Sequence, residues 1–473
     1  MSEQSNPSDE AAPGSGPTRG ADADASAGAA TEAVPGVGDT AALGADAVPG
    51  VGESAAPGLR ASVSDGAVPG SGSAHGADAG ARADALPGVG VTAALGFRAS
   101  GIAAGLKASG AADLALVVNE GPSRAAAAVF TSNRVKAAPV LWSEQVIKAG
   151  ELDAVILNSG GANACTGPEG FQDTHATAER VAEALDTSAG RVAVCSTGLI
   201  GVRLPMDKLL GGLFASVGSL AATAEAGANA AEAIRTTDTH AKTAVVERSG
   251  YVVGGMAKGA GMLAPGLATM LCVLTTDASV PHDELDAALR KATARTFDRI
   301  DSDGCMSTND TVILMASGSS GVVPEPCEFA TAVEAACADL ARQLIADAEG
   351  ASKEIEIEVV NAASEADALE VARSIARNNL LKCAFYGEDP NWGRVLSAVG
   401  TTNAKFEPDE LSVAINGVWV CRRGGVGEDR DLCDLSDRHV HLVVDLAAGS
   451  ETVTVWTNDL TKEYVHENSA YAS

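Results

Sequence analysis

The chain has 473 residues, enough for two or more domains, and a formal net charge of −29 from 62 Asp and Glu against 33 Lys and Arg. So acidic a chain lacks the clustered cations that nucleic acid or an anionic membrane would need as a partner. Nine cysteines, an odd number without any Cys-x-x-Cys spacing, argue against a zinc site and against a secreted disulfide framework.

The N-terminus is polar and acidic, without the basic and apolar regions of a signal peptide. The longest apolar stretch, Met262 to Leu274, contains Pro265 and falls short of the ~18 residues of a membrane span. A cytosolic protein is the expectation.

Residues 1–90 hold twelve acids, three arginines and no Lys, Phe, Tyr or Trp, so they cannot bury enough apolar surface to offset the entropy of ordering. Pro-Gly-containing hexapeptides recur there, at 33–38, 47–52, 67–72 and 85–90, spaced too unevenly for a solenoid. A disordered acidic arm is predicted. Its repeats read either as degenerate copies of the entry to the folded body or as an over-extended reading frame.

From about Val91 the texture changes. Predicted strands Leu114–Val118, Ala126–Thr131, Val155–Leu157 and Val192–Cys195 alternate with predicted helices Glu169–Leu185, Pro205–Leu210 and Ala221–Ile234. Further on come strand Leu271–Thr275, helix His282–Thr296, strand Thr311–Ala316 and helix Phe329–Ala348. Strand Glu354–Val359, helix Glu365–Asn378 and strands Leu411–Ile415, His439–Leu446 and Thr452–Thr457 complete the body. The class is α/β, with mixed sheets and packed helices.

The stretch Gly254–Ala278 carries the densest chemical signal. Gly259, Gly261, Pro265 and Gly266 make a tight non-helical loop that runs into Ala268-Thr269 and then an apolar run. Small residues allow the Ala268–Thr269 bond to be strained, so that the threonine hydroxyl can attack the preceding carbonyl. An N→O acyl shift and ester hydrolysis would then free the α-amine of Thr269. A threonine bearing its own amine is an activated nucleophile, and an amine pKa of ~7.7–8.0 suits proton transfer near neutrality. By local physics alone, a glycine-rich turn before a buried strand explains the same residues.

A wider set of motifs bears on that choice. Lys258-Gly259-x-Gly261-Met262-x-x-Pro265-x-x-Ala268-Thr269-Met270-Leu271 resembles the processing site of the ornithine acetyltransferases, the bifunctional glutamate N-acetyltransferases of arginine biosynthesis. The resemblance runs on, in order, through Val129–Asn133, Asn158–Gly167 (NSGGANACTG), Ser196–Gly201 (STGLIG), Thr236–Thr239 (TTDT) and Ser307–Thr311 (STNDT). It continues through Asp347–Ser352 (DAEGAS), Glu388–Arg394 (EDPNWGR) and Glu467–Ser473 (ENSAYAS).

This resemblance covers residues 91–473. It departs from the family pattern at Gly160-Gly161, Ala348 and Ser352. It implies a two-lobed fold cut into an α chain, residues 91–268, and a β chain, residues 269–473. Thr269 is then nucleophile and cleavage partner of Ala268, and Thr197 and Gly198 form the oxyanion hole. Thr236, Lys258, Thr269, Glu349, Asn468 and Ser473 bind substrate, Lys258 suiting a carboxylate and Glu349 an ammonium group.

The implied reaction is ping-pong acetyl transfer from N2-acetyl-ornithine to glutamate, with no metal or organic cofactor. Acetyl-CoA is a second donor if the enzyme is bifunctional, and the α and β chains stay together as an α2β2 heterotetramer. A self-processing amidohydrolase or aminopeptidase, which would pass the acyl group to water, is the alternative. Asn391-Trp392-Gly393 reads equally as a loop anchor in the core. His439 and His441, two apart on one strand face, form a charged face or a metal pair.

Overall fold

The computed structural model describes residues 88–264 and 270–470. The predicted arm up to residue 87, the segment 265–269 with Ala268 and Thr269, and residues 471–473 with Ser473 lie outside the described residues. So does the whole of the first compact unit, residues 1–78.

Nine strands precede the middle of the second half: β1 (Phe97–Ile102), β2 (Leu114–Asn119), β3 (Ala126–Phe130), β4 (Ala154–Asn158), β5 (Val192–Ser196), β6 (Lys242–Arg248), β7 (Tyr251–Lys258), β8 (Leu271–Thr276) and β9 (Thr311–Ala316). Six follow: β10 (Glu354–Ala362), β11 (Ser412–Ile415), β12 (Val418–Arg422), β13 (Gly425–Val426), β14 (His439–Asp445) and β15 (Glu451–Asn458).

The first nine form two sheets, ordered β1-β2-β4-β5 and β3-β9-β8-β7-β6. Both are mixed: β4 runs parallel to β5 and β8 parallel to β9, and the other neighbours are antiparallel. Strand residues alternate sides, and here both sides are apolar. Phe97, Val117, Leu157 and Cys195 of one sheet meet Met256, Val273, Ile313 and Met315 of the other in a shared core.

The outer face of the first sheet, with Leu116, Ile156 and Val194, packs on Val181 of the helix Gly167–Leu185 and on Leu209 and Leu213 of the helix Met206–Gly218. The outer face of the second sheet, with Val253, Leu274 and Leu314, packs on the helices His282–Arg295 and Pro326–Ala346. The result is a four-layer sandwich, helices–sheet–sheet–helices.

The last six strands make a third sheet, β13-β12-β11-β14-β10-β15, in which only β10 and β14 are parallel. Its apolar face packs on the helices Glu365–Ala376, Asn379–Tyr386 and Trp392–Val399. This second lobe has a core of its own, centred on Ile357, Val371 and Val444.

Every predicted strand and helix is present, most within a few residues, although the helix predicted over Pro205–Leu210 runs on to Gly218; several elements carry weak sequence signals and went unpredicted. β1 contains Gly101, and its pairing with β2 makes it a strand. β7 holds Gly254 and Gly255, which argue for a loop, yet the glycine is a packing device: a Cβ on Gly254 would lie 2.1 Å from the Gly90 carbonyl oxygen. That contact and the close approach of Gly227 to the Val89 carbonyl also show Val89 and Gly90, the end of the last hexapeptide, packed into the body. The helix Lys462–Ala470 has no fully buried residue and no apolar stripe for a sequence to reveal.

Candidate active site

A cavity of about 260 Å³ lies at one end of the sandwich, where strand ends meet. Thr197 and Gly198 follow β5, Thr236 follows the helix Ala224–Ala233, Lys258 ends β7, and Glu349 follows the helix Pro326–Ala346. Asn468 comes from the C-terminal helix, and all six line the cavity. Six of the nine residues singled out from sequence are thus brought together from five separated stretches of chain. The other three, Ala268, Thr269 and Ser473, lie outside the described residues.

Lys258 is the charge at the floor. Its side chain is buried, and its Nζ donates to Thr197 Oγ1 at 3.3 Å. It forms no ion pair among the described residues. Burial lowers its pKa, Asp238 pulls it back up, and Lys242 pushes it down. Because the ammonium already donates to Thr197 Oγ1, the hydroxyl proton of Thr197 is left to donate into the cavity.

Gly198 supplies a second donor. Its φ of +132° is open only to glycine, and a Cβ would lie 2.8 Å from the Gly161 nitrogen. Gly161 N–H donates to Thr197 O (3.0 Å), and Thr197 N–H donates to Asn158 O (2.9 Å). Among the described residues the Gly198 N–H has no acceptor. Two unspent donors beside one buried ammonium are an arrangement for a developing negative charge.

The lining also carries acids, Glu349 and Asp303. Glu349 is half-buried and accepts from Asn468 Nδ2 at 3.0 Å, which ties the C-terminal helix to the rim. Tyr464 of the same helix lines the cavity, with its phenol pushed up to about 12 by burial and then by Asp303 and Glu349.

The residues that hold this geometry were not assigned roles from sequence, although most sit inside its motifs. Asn309 Nδ2 donates to Ala162 O (2.6 Å) and to Ser196 O (2.8 Å), fastening the two turns that present Thr197 and Gly198. Asp238 accepts from Thr236 N (3.0 Å), Gly259 N (2.6 Å) and Lys242 Nζ (2.7 Å). Burial would raise the Asp238 carboxyl, but Lys258 and Lys242 outweigh it and hold it well below the usual range.

Lys242, fully buried, bridges on to Asp347 at 2.6 Å, and Asp347 also accepts from Thr239 N at 3.0 Å. Asp310, buried and raised well above the usual range by that burial, accepts from Met270 N (3.0 Å) and Ser307 N (3.1 Å). Met270 is therefore anchored beside the site, and its neighbour Leu271 is the cross-strand partner of Lys258.

Two sequence alternatives are also placed. Trp392 begins a helix and packs on the core of the second lobe, away from the cavity. His439 and His441 lie beside Glu356 (3.3 Å) and Glu358 (3.1 Å) of the adjacent β10, a charged strand face. Among the described residues no group of His, Cys, Asp and Glu could hold a metal ion, and no helix is long and apolar enough to cross a membrane.

An α/β sandwich with a small, polar, charge-complementary cavity at its strand ends defines an enzyme for small molecules. Residues 98–473 match the ArgJ family. The arginine biosynthesis bifunctional protein ArgJ of Streptomyces avermitilis is 73% identical over 361 residues, covering 76% of this chain and 94% of the relative. That of Streptomyces coelicolor is 72% identical over 361 residues, with the same coverage.

A solved ornithine acetyltransferase from Mycobacterium tuberculosis, in complex with ornithine, is 58% identical. It covers 39% of this chain and 98% of that chain, at a TM-score of 0.35. The chain belongs to the ArgJ family, the acetyltransferases of arginine biosynthesis.

Proposed function

We propose that this chain moves an acetyl group from N2-acetyl-ornithine to glutamate through an acetyl ester on Thr269, after cutting itself between Ala268 and Thr269. Acetyl transfer between acetylornithine and glutamate is the function of the family. The observation that carries the residue assignment is the cavity. Lys258, whose buried ammonium forms no ion pair among the described residues, stands beside two unspent donors and shares a cavity of about 260 Å³ with Glu349.

In this reading the substrate α-carboxylate pairs with Lys258 and the side-chain ammonium of ornithine with Glu349 and Asn468. Thr269 precedes Met270, whose amide Asp310 holds, and stands two residues before the cross-strand partner of Lys258. Its hydroxyl attacks the acetyl carbonyl while its own α-amine takes the proton.

Thr197 Oγ1 and Gly198 N–H receive the oxyanion. The C–N bond breaks, the proton passes to the leaving α-amine, and ornithine departs. The α-amine of glutamate then attacks the acetyl ester, Thr269 leaves as the alcohol, and N-acetylglutamate is released. Acetyl-CoA would serve as a second donor to the same threonine.

The cut is an N→O shift by Thr269 Oγ on the Ala268 carbonyl followed by hydrolysis. Its products, an α chain ending at Ala268 and a β chain Thr269–Ser473, stay associated as an α2β2 tetramer in the cytoplasm. Ser473 closes the same pocket. Mass spectrometry for a new Thr N-terminus, with acetyl transfer assayed in the presence and absence of glutamate, tests the whole. Acyl release that ignores glutamate would make the enzyme a hydrolase and overturn the proposal.

A further inference from the structure

The second lobe sends one buried cation toward the loop that precedes the cut. Lys382, on the helix Asn379–Tyr386, is 5% exposed. Its Nζ donates to the Ser302 carbonyl and, at 3.0 Å, to Thr457 Oγ1 on β15. The Ser302 N–H, in the peptide unit before that carbonyl, donates to Leu263 O at 2.5 Å. Next to it, Asp303 Oδ2 accepts from Met262 N at 2.7 Å. Two bonds thus join Lys382 to Leu263, and one charge contact followed by one bond joins it to Met262. Asp303 and Cys305 of the same turn line the active-site cavity.

We infer that Lys382 is a positioning residue for the cut at Ala268–Thr269, holding the 301–305 turn so that Met262 and Leu263 are fixed where the loop leaves β7. This rests on the cleavage proposed above.

The charge matters as well as the packing. The ionisable groups that face Lys382 are Asp301 and Asp303 on the turn, Asp459 after β15 and Cys383 on its own helix, with Arg377 bound to Asp301 at 2.7 Å. Burial raises Asp301 and Asp303, and the Lys382 charge opposes that rise in both. A neutral Lys382 would leave Asp303 buried without its cation, free to take a proton and to release Met262.

Burial lowers Lys382 to about 8, against the pull of Asp303, Asp301 and Asp459. Its charge, and with it the hold on the turn, is complete below that pH and lost above it. The global linkage has the opposite sign: above pH 8 the unfolded chain keeps this proton and the native chain does not, which favours the native state. An alkaline fall in cutting that Lys382→Arg removes would therefore report the turn and not unfolding.

The test is the rate of cutting of full-length chain made by cell-free synthesis and diluted into buffers from about pH 6.5 to 10, with thermal unfolding as the folding control. Wild type should show a falling limb near pH 8. Lys382→Met should cut roughly 10- to 100-fold more slowly at neutral pH, the size expected of a misplaced reacting group. Lys382→Arg, charged throughout, should keep the neutral rate and lose the limb. Thr457→Val, a mild change that removes one acceptor from the ammonium, should move the limb to lower pH.

Wild-type cutting in Lys382→Met, a limb that persists in Lys382→Arg, or one unmoved by Thr457→Val would each overturn the inference. A wild-type chain never cut at any pH would overturn the cleavage reading, and this inference with it.

Discussion

The two lobes solve the same problem, burying a sheet, in different ways. In the sandwich β2, β8 and β9 are buried at every residue, because helices cover one face and a second sheet the other. In the second lobe β10 and β14 alternate between buried and partly exposed residues, because only one face is covered.

A strand buried on both faces has no place for polar side chains except at its ends. Those ends are where the chemistry collects: Ser196 closing β5, Lys258 closing β7, Met270 before β8 and Asp310 before β9. The second lobe has a solvent face for its charges, and there Glu354, Glu356 and Glu358 sit beside Arg438, His439 and His441. Among the described residues the lobe reaches the cavity only through the helix that follows it, with Tyr464 and Asn468.

Substitutions can sharpen that contrast. Thr269→Ala should abolish both cutting and transfer, since one hydroxyl serves both, while Thr269→Ser should still be cut slowly. Mass spectrometry separates these outcomes, and processing of the alanine variant would mean that another group attacks the bond.

Thr197→Val, isosteric but without the donor, should lower kcat roughly 10²- to 10³-fold with KM little changed. A change confined to KM would move Thr197 from the oxyanion to the ground state.

For Lys258→Met, loss of the ammonium–carboxylate contact should cost about 2–3 kcal/mol, roughly 30- to 150-fold in kcat/KM for acetyl-ornithine. An unchanged value would remove the substrate carboxylate from the floor of the cavity.

Between the lobes, Leu274→Ala inside the sandwich should cost about 2–5 kcal/mol by denaturant unfolding. Glu356→Ala on the solvent face should change stability by no more than about 1 kcal/mol. Equal losses would break the distinction between doubly and singly covered sheets. Smallest of all should be removal of residues 1–87: they hold no Lys, Phe, Tyr or Trp, so kcat/KM and Tm should both be unchanged, and a drop in either would give the arm a role in the body.

The sequence by itself determined the α/β class, most strands and helices, the family and the list of polar residues worth watching. Those signals are local: hydrophobic runs need no partner to be seen, and motifs such as STGLIG or TTDT are contiguous. The sequence also exposed the charged face of β14, since alternation is a property of one strand.

Only the tertiary structure decided which of the polar residues converge. Thr197 and Lys258 are 61 residues apart and meet at 3.3 Å because β5 and β7 belong to two sheets that close on one core. It alone placed Asn309 between two turns, Lys242 between Asp238 and Asp347, and Lys382 behind Ser302. In each case the partner is distant in sequence, and a buried charge becomes intelligible only once the groups that compensate it are in place.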